Sequence, residues 1–253
     1  NTMSEDIRPA ADRYRPRTFD DMTGQERLVG KNGVLRRIAA TGSLPSVIFY
    51  GPPGVGKTTT LRNIISRLDG IKPYVIEGDI ESDLDTQTLK GLGIDTHQIN
   101  TFGACHLDAP MIDHMIDHMH FDHSEQRAAL FIENIGNLVC PAEFSIGEHI
   151  KMLISTVTEG SDKPYKYPLA FEKADVIILN KVDLIPYLDF DEEFFMKGVR
   201  ALNKDVPVFK VSGKTGEGFD EVAEWIKSKA LALETREHHH DHEHDHHHNH
   251  EHK

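Results

Sequence analysis

The run Gly51-Pro52-Pro53-Gly54-Val55-Gly56-Lys57-Thr58 reads G-x-x-x-x-G-K-T and directly follows the apolar stretch Val47-Ile48-Phe49-Tyr50. Glycines at these positions let the backbone wrap a polyphosphate, so that successive N–H groups point at anionic oxygens. The helix predicted next, from about Thr58 to Leu68, adds the positive end of its dipole. Gly51, Gly54, Val55, Gly56, Lys57, Thr58 and Thr59 therefore form a candidate phosphate cradle. In such a cradle Lys57 reaches the β- and γ-phosphates, and the Thr58 hydroxyl is offered to Mg²⁺.

Asn180-Lys181-Val182-Asp183 follows a second apolar stretch, Val176–Asn180, and matches the N-K-x-D box of GTPases. In that box the aspartate accepts hydrogen bonds from guanine N1–H and the 2-amino group. Adenine lacks this pair of donors, so an unpaired carboxylate would discriminate against ATP. Ser212-Gly213-Lys214, after a further strand-like run, resembles the last GTPase box, whose backbone contacts the guanine carbonyl. Glu133-Asn134-Ile135-Gly136 ends another apolar run and offers an acid together with a glycine, Gly136, whose N–H can sense a γ-phosphate. Asp79 is a second acid suited to hold Mg²⁺ or to orient water, and equally suited to cap a helix. The expected chemistry is attack of water on the γ-phosphate, with Lys57, Asp79 and Glu133 as the catalytic set and GTP, GDP and Mg²⁺ as ligands.

A softer donor set stands nearby. Cys105-His106 precedes a predicted helix, and Cys140 lies seven residues beyond Glu133. Thiolate and imidazole suit borderline ions such as Ni²⁺ and Zn²⁺. Three such ligands leave a coordination position open, or two subunits share ions across a symmetric interface. His114 and His118 are four apart on a predicted helix, with His120 and His123 close behind; the spacing suits a metal, and a solvent-facing polar surface would read the same. The terminal stretch holds His238, His239, His240, His242, His244, His246, His247, His248, His250 and His252, ten of the seventeen histidines, interleaved with acids. Such a segment takes up several Ni²⁺-like ions weakly and releases them as its imidazoles protonate.

These groups need a scaffold. At 253 residues the chain holds one large α/β domain with flanking segments. Strands are expected at Val47–Tyr50, Tyr74–Glu77, Ala129–Glu133, Ile150–Thr156, Val176–Asn180 and Val208–Val211, alternating with helices after the P-loop and at about 107–119, 191–203 and 219–232. That alternation predicts a parallel sheet flanked by helices, the P-loop NTPase class. A polar leader covers residues 1–45, with a short helix expected at 32–40; the GTPase-like domain covers 46–232, and a histidine-rich tail covers 233–253. Residues 237–253 are too polar to bury a core and are expected to be disordered without metal. The net charge of −13 disfavours nucleic acid as a partner. No segment reads as a membrane span or a signal peptide, and two cysteines make no disulfide framework, so a reducing cytoplasm is the expected compartment.

With these motifs in place, residues of about 46–232 resemble the nickel-incorporation GTPases of hydrogenase maturation, the HypB family. The resemblance is carried by Glu77-Gly78-Asp79-Ile80, Gln98–Thr101, Cys105–Ala109 and Phe131 through Ala142 (F-I-E-N-I-G-N-L-V-C-P-A). It continues through Thr158-Glu159-Gly160, Lys163-Pro164, Lys166-Tyr167-Pro168, Asn180 through Phe190 and Thr215–Gly218. It implies a GTPase that dimerises on GTP–Mg²⁺ and a nickel or zinc site of Cys105, His106 and Cys140 near the subunit interface. It also implies delivery of nickel to the hydrogenase large subunit, with an accessory protein as nickel donor. Phe102 and Ala104 stand where the family tends to have glycine, Ser82 where it has threonine, and the stretch 111–123 is extended.

Residues 13–58, from Arg13-Tyr14-Arg15-Pro16-Arg17 through Gly24-Gln25 and Leu44-Pro45-Ser46 into the P-loop, resemble instead the leader of clamp-loader-like AAA+ ATPases. Three function classes therefore compete. They are a GTPase gating nickel transfer, a histidine-rich metal buffer with a vestigial nucleotide site, and an AAA+-type ATPase acting on DNA clamps. The first accounts for the most motifs.

Overall fold

The computed structural model describes residues 45–78, 87, 89–101, 104–119, 127–143 and 146–243, with side chains from Leu231 onward excepted save for Ala232. The AAA+-like leader, Asp79, Ser82, Phe102, His120, His123 and the tail residues from His244 onward lie outside the described residues.

Seven strands form one sheet: β1 (Ser46–Tyr50), β2 (Ile71–Glu77), β3 (Asp95–Gln98), β4 (Arg127–Glu133), β5 (Ile150–Thr156), β6 (Val176–Asn180) and β7 (Val208–Lys210). Their order is β3-β2-β4-β1-β5-β6-β7, and every neighbouring pair is parallel. Sheets of this kind are covered on both faces, so central strands read as continuous apolar runs; β1 and β6 are buried at every position. Alternate side chains divide between two cores. Val47, Phe49, Val75, Phe131, Ile154 and Ile178 face α1 (Lys57–Ile65) and α7 (Phe219–Glu243) through Leu61, Ile64, Phe219, Val222 and Ile226. On the opposite face Ile48, Ile76, Leu130 and Ile132 meet Ile112 and Ile116 of α2 (Ala109–His118). Further along that face, Tyr50, Leu153, Ile177 and Leu179 meet Phe171 and Phe195. These last two come from α5 (Pro168–Glu172) and α6 (Glu192–Leu202); α3 (Cys140–Glu143) and α4 (Lys163–Lys166) are shorter helices.

Because all strands run the same way, their carboxyl ends lie along one rim. The P-loop leaves β1 there, Glu133–Gly136 leaves β4, Asn180–Asp183 leaves β6, and the segment leading to Cys105 leaves β3. A rim of this kind is where open α/β sheets place ligands.

The structure departs from the sequence reading most clearly at four places. β3 was not expected: Asp95-Thr96-His97-Gln98 is polar and, among the described residues, pairs with β2 alone, so it carries no apolar signal despite the burial of Thr96. β2 starts at Ile71 rather than Tyr74, because exposed Lys72 and half-buried Pro73 disguise its beginning. α3, α4 and α5 are single turns, too short to show a helical period. Helix α7 runs through Glu243, so the backbone of residues 237–243, expected to be disordered, is helical. Ala230-Leu231-Ala232-Leu233-Glu234 is a run of strong helix formers that propagates the helix onward. No helix of the described residues is long and apolar enough to cross a membrane.

Candidate functional site

The P-loop turns through two left-handed glycines, Gly54 (φ 77) and Gly56 (φ 89), and a Cβ on Gly56 would come within 2.7 Å of the Asn180 side chain. Gly56 has to be glycine for both reasons. Lys57, almost fully buried, turns its ammonium back onto the loop, donating to the carbonyls of Pro52 at 3.2 Å and Gly51 at 3.5 Å. Thr58 Oγ1 donates to Glu133 Oε1 at 3.0 Å. A hydroxyl and a buried carboxylate thus face each other beside the loop, a pair of hard oxygen donors suited to Mg²⁺. Gly136 closes the same side, since a Cβ there would lie 2.9 Å from both N and Cδ of Pro53.

The base-side motif is assembled around Asn180, which is buried. Its Nδ2 donates to Val55 O at 2.9 Å, and its Oδ1 accepts from Lys181 N at 2.7 Å and Gly213 N at 3.0 Å. One side chain thereby joins the P-loop, the N-K-x-D turn and the Ser212–Lys214 loop. Lys181 is held left-handed (φ 63), and its Nζ reaches Gly54 O at 2.8 Å. Asp183 Oδ1 accepts from Ser212 Oγ at 2.7 Å, which orients the carboxylate. Thr59 packs its methyl toward Gly213, where a Cβ would meet it at 2.9 Å; Lys214 is exposed.

Glu159, from the Thr158-Glu159-Gly160 stretch, enters from the turn Val157–Glu159 after β5, and its Oε2 is buried without a hydrogen-bond partner. Burial pushes its carboxyl above the ordinary range, opposed by the charges of Lys163, Lys181 and Lys57. Its weight in the site was not legible from sequence, where it was only one residue of a matching stretch.

The three soft donors lie close together. Cys105 Sγ lies 3.3 Å from Cys140 Sγ and 3.3 Å from His106 Nδ1, and the three ligand atoms fall within 4.8 Å of one another. The hydrogen bond with Cys140 pushes the Cys105 thiol up. A soft cation bound here would have to displace that shared proton, because thiolates rather than thiols are the ligands.

Two asparagines, given no role of their own by the sequence, join the soft cluster to the phosphate side. Asn134, buried at the end of β4, accepts at Oδ1 from Leu107 N at 2.9 Å and from Ile135 N at 2.8 Å. Leu107 follows His106, and Ile135 precedes Gly136. Asn137 forms an antiparallel bridge with Gly51 of the P-loop, while its Nδ2 donates to Cys105 O at 3.3 Å. The signal for both was their place in the N-I-G-N segment between the acid and Cys140.

Known proteins resemble this chain in sequence and fold. The family described as CobW/HypB/UreG, nucleotide-binding domain, matches residues 45–210. The hydrogenase maturation factor HypB of Azotobacter vinelandii is 46% identical over 176 residues, covering 69% of this chain. The chain spans only 57% of that relative's length. A probable hydrogenase maturation factor HypB of Methanocaldococcus jannaschii is 34% identical over 209 residues, covering 82% of this chain and 92% of its own. Among solved structures, HypB from Helicobacter pylori in complex with nickel superposes with a TM-score of 0.70 at 33% identity, covering 78% of this chain and 91% of that one.

Proposed function

The chain belongs to the HypB branch of the CobW/HypB/UreG nucleotide-binding family, and from that premise we propose that it is a GTP-hydrolysing nickel metallochaperone serving the maturation of nickel–iron hydrogenase. In this reading Asp183 accepts the guanine N1–H and 2-amino hydrogens, with Ser212 holding the carboxylate in place. Adenine offers no such pair of donors, which disfavours the ATPase alternative.

At the other end of the nucleotide, Lys57 exchanges the Gly51 and Pro52 carbonyls for the β- and γ-phosphates. Mg²⁺ bound with the nucleotide supplies charge neutralisation at the phosphate oxygens, and Thr58 and Glu133 are the residues placed to hold it. Asp79 is the further acid assigned to this set. Slow intrinsic hydrolysis, as a switch requires, belongs to this reading.

Nickel is the cargo. Cys105, His106 and Cys140 hold it with an open position or share it with a second subunit in a GTP-dependent dimer, and the histidine-rich tail stores further ions. The single observation that carries the proposal is the pair of asparagine links. Asn137 ties Gly51 to Cys105, and Asn134 ties the Gly136 loop to Leu107. A loop that moves when the γ-phosphate leaves therefore moves the thiols, and that is a coupling free energy between two sites.

The test is a nickel titration of the full chain with its ten tail histidines changed to asparagine, saturated first with GDP and then with a non-hydrolysable GTP analogue. At least a fivefold difference in nickel affinity is expected, and it disappears on changing Cys105 and Cys140 to serine. Equal affinities in the two nucleotide states would refute the coupling. Preference for ATP in a competition assay would refute the guanine assignment.

A further inference from the structure

We propose that His114 and His118 form a second divalent-metal site, on the exposed face of helix α2 and separate from the thiol cluster. The helix buries Ile112 and Ile116 against the sheet, and the Asp108 side chain caps its start by accepting from Met111 N at 2.9 Å. That orientation leaves His114, Asp117 and His118 exposed on the opposite face. Residues four apart on a helix are neighbours, and two histidines at this spacing can serve one ion.

Three observations point to a cation here. The two exposed imidazole rings stack with centroids 4.5 Å apart at 30°. His118 Nδ1 lies 2.7 Å from His114 O, and a carbonyl only accepts, so Nδ1 carries the proton. Nε2 of His118 is left with its lone pair outward and the ring is oriented by backbone, the arrangement metal-binding histidines adopt. Lastly, the pair occupies the last turns of α2, where the helix dipole is negative, and the Asp113 and Asp117 carboxylates of the same helix deepen that field.

Two imidazoles in a field of oxygens suit a borderline ion of the Cu²⁺, Ni²⁺ and Zn²⁺ class over Mg²⁺ or Ca²⁺. With two protein nitrogens the remaining positions belong to water, so the ion exchanges readily. The site differs in kind from the sulfur-rich set of Cys105, His106 and Cys140.

The test uses the full chain with its ten tail histidines changed to asparagine and Cys105 and Cys140 changed to serine, titrated with Cu²⁺ alone. Electron paramagnetic resonance is expected to show one equivalent with a two-nitrogen splitting pattern. Adding His114→Gln and His118→Gln should weaken that equivalent at least tenfold and abolish the pattern, while circular dichroism shows the fold intact. A copper count and nitrogen pattern that survive both substitutions would overturn the proposal. So would a pattern that survives His118→Gln alone, because one imidazole would then suffice.

Discussion

The side-chain carbonyl of Asn134 accepts two backbone N–H groups at once, Leu107 at 2.9 Å and Ile135 at 2.8 Å. One belongs to the loop that carries Cys105 and His106, the other to the loop that carries Gly136. The two chemistries therefore share a single buried fastening.

Asn134→Ala would leave both N–H groups without their acceptor, at a cost of about 1–3 kcal/mol for the buried Leu107 N–H and less for the half-buried Ile135 N–H. A fall in Tm of at least about 5 °C is expected in a thermal melt. Nickel affinity should also cease to depend on the bound nucleotide. Asn134→Asp keeps an oxygen in place and should preserve more of that dependence than alanine does.

Gly136→Ala places a methyl 2.9 Å from the backbone nitrogen of Pro53, a contact no rotamer relieves. Overpacking of this kind costs about 1–3 kcal/mol. Displacement of the P-loop should weaken binding of a fluorescent GDP analogue by about tenfold or more. Unchanged affinity would mean that the two loops part without cost.

Asp183→Asn replaces an acceptor pair by an amide that offers one acceptor and two donors. The Ser212 hydroxyl, now donating to Oδ1 at 2.7 Å, competes for that one oxygen. Guanine nucleotide affinity should fall on the order of 100-fold or more. A competition assay of GTP against ATP is expected to show the discrimination between them collapse.

Glu159→Gln tests the buried carboxyl beside the lysines. Burial raises its folded pKa above the unfolded value of roughly 4.3, so the proton is held more tightly in the native state. Its stabilising contribution is complete below the unfolded pKa and is lost as pH rises through the higher folded value. At pH 7 the glutamine variant, which carries no charge to desolvate, should melt at a higher temperature than the parent. That advantage should shrink to nothing as pH falls below about 4. A Tm difference independent of pH would show that ionisation of Glu159 does not matter.

The phosphate loop, the N-K-x-D turn and the Cys-His and Cys positions were legible in the sequence because each is a fixed spacing next to an apolar strand. Parallel strands buried on both faces, such as Val176–Asn180, announce themselves as apolar runs. What escaped was of two kinds. Asp95–Gln98 is an edge strand whose identity comes from pairing with β2, a non-local fact invisible in a polar tetrad. The linking roles of Asn134 and Asn137 depend on loops that are distant in sequence, Leu107 and Gly51, arriving at one end of the sheet. Helix α7 outran its expected end for a local reason, since residues 230–234 favour helix more strongly than the histidine-rich composition opposes it.

The bridge between Gly51 and Asn137 has a pharmacological corollary. A small compound wedged between those two backbones would pull the Cys105 carbonyl from its Asn137 donor while leaving Asp183, the proposed guanine reader, untouched. Such a molecule would uncouple ion handling without competing against the cell's abundant GTP, a route to selective inhibition that nucleotide mimics do not offer.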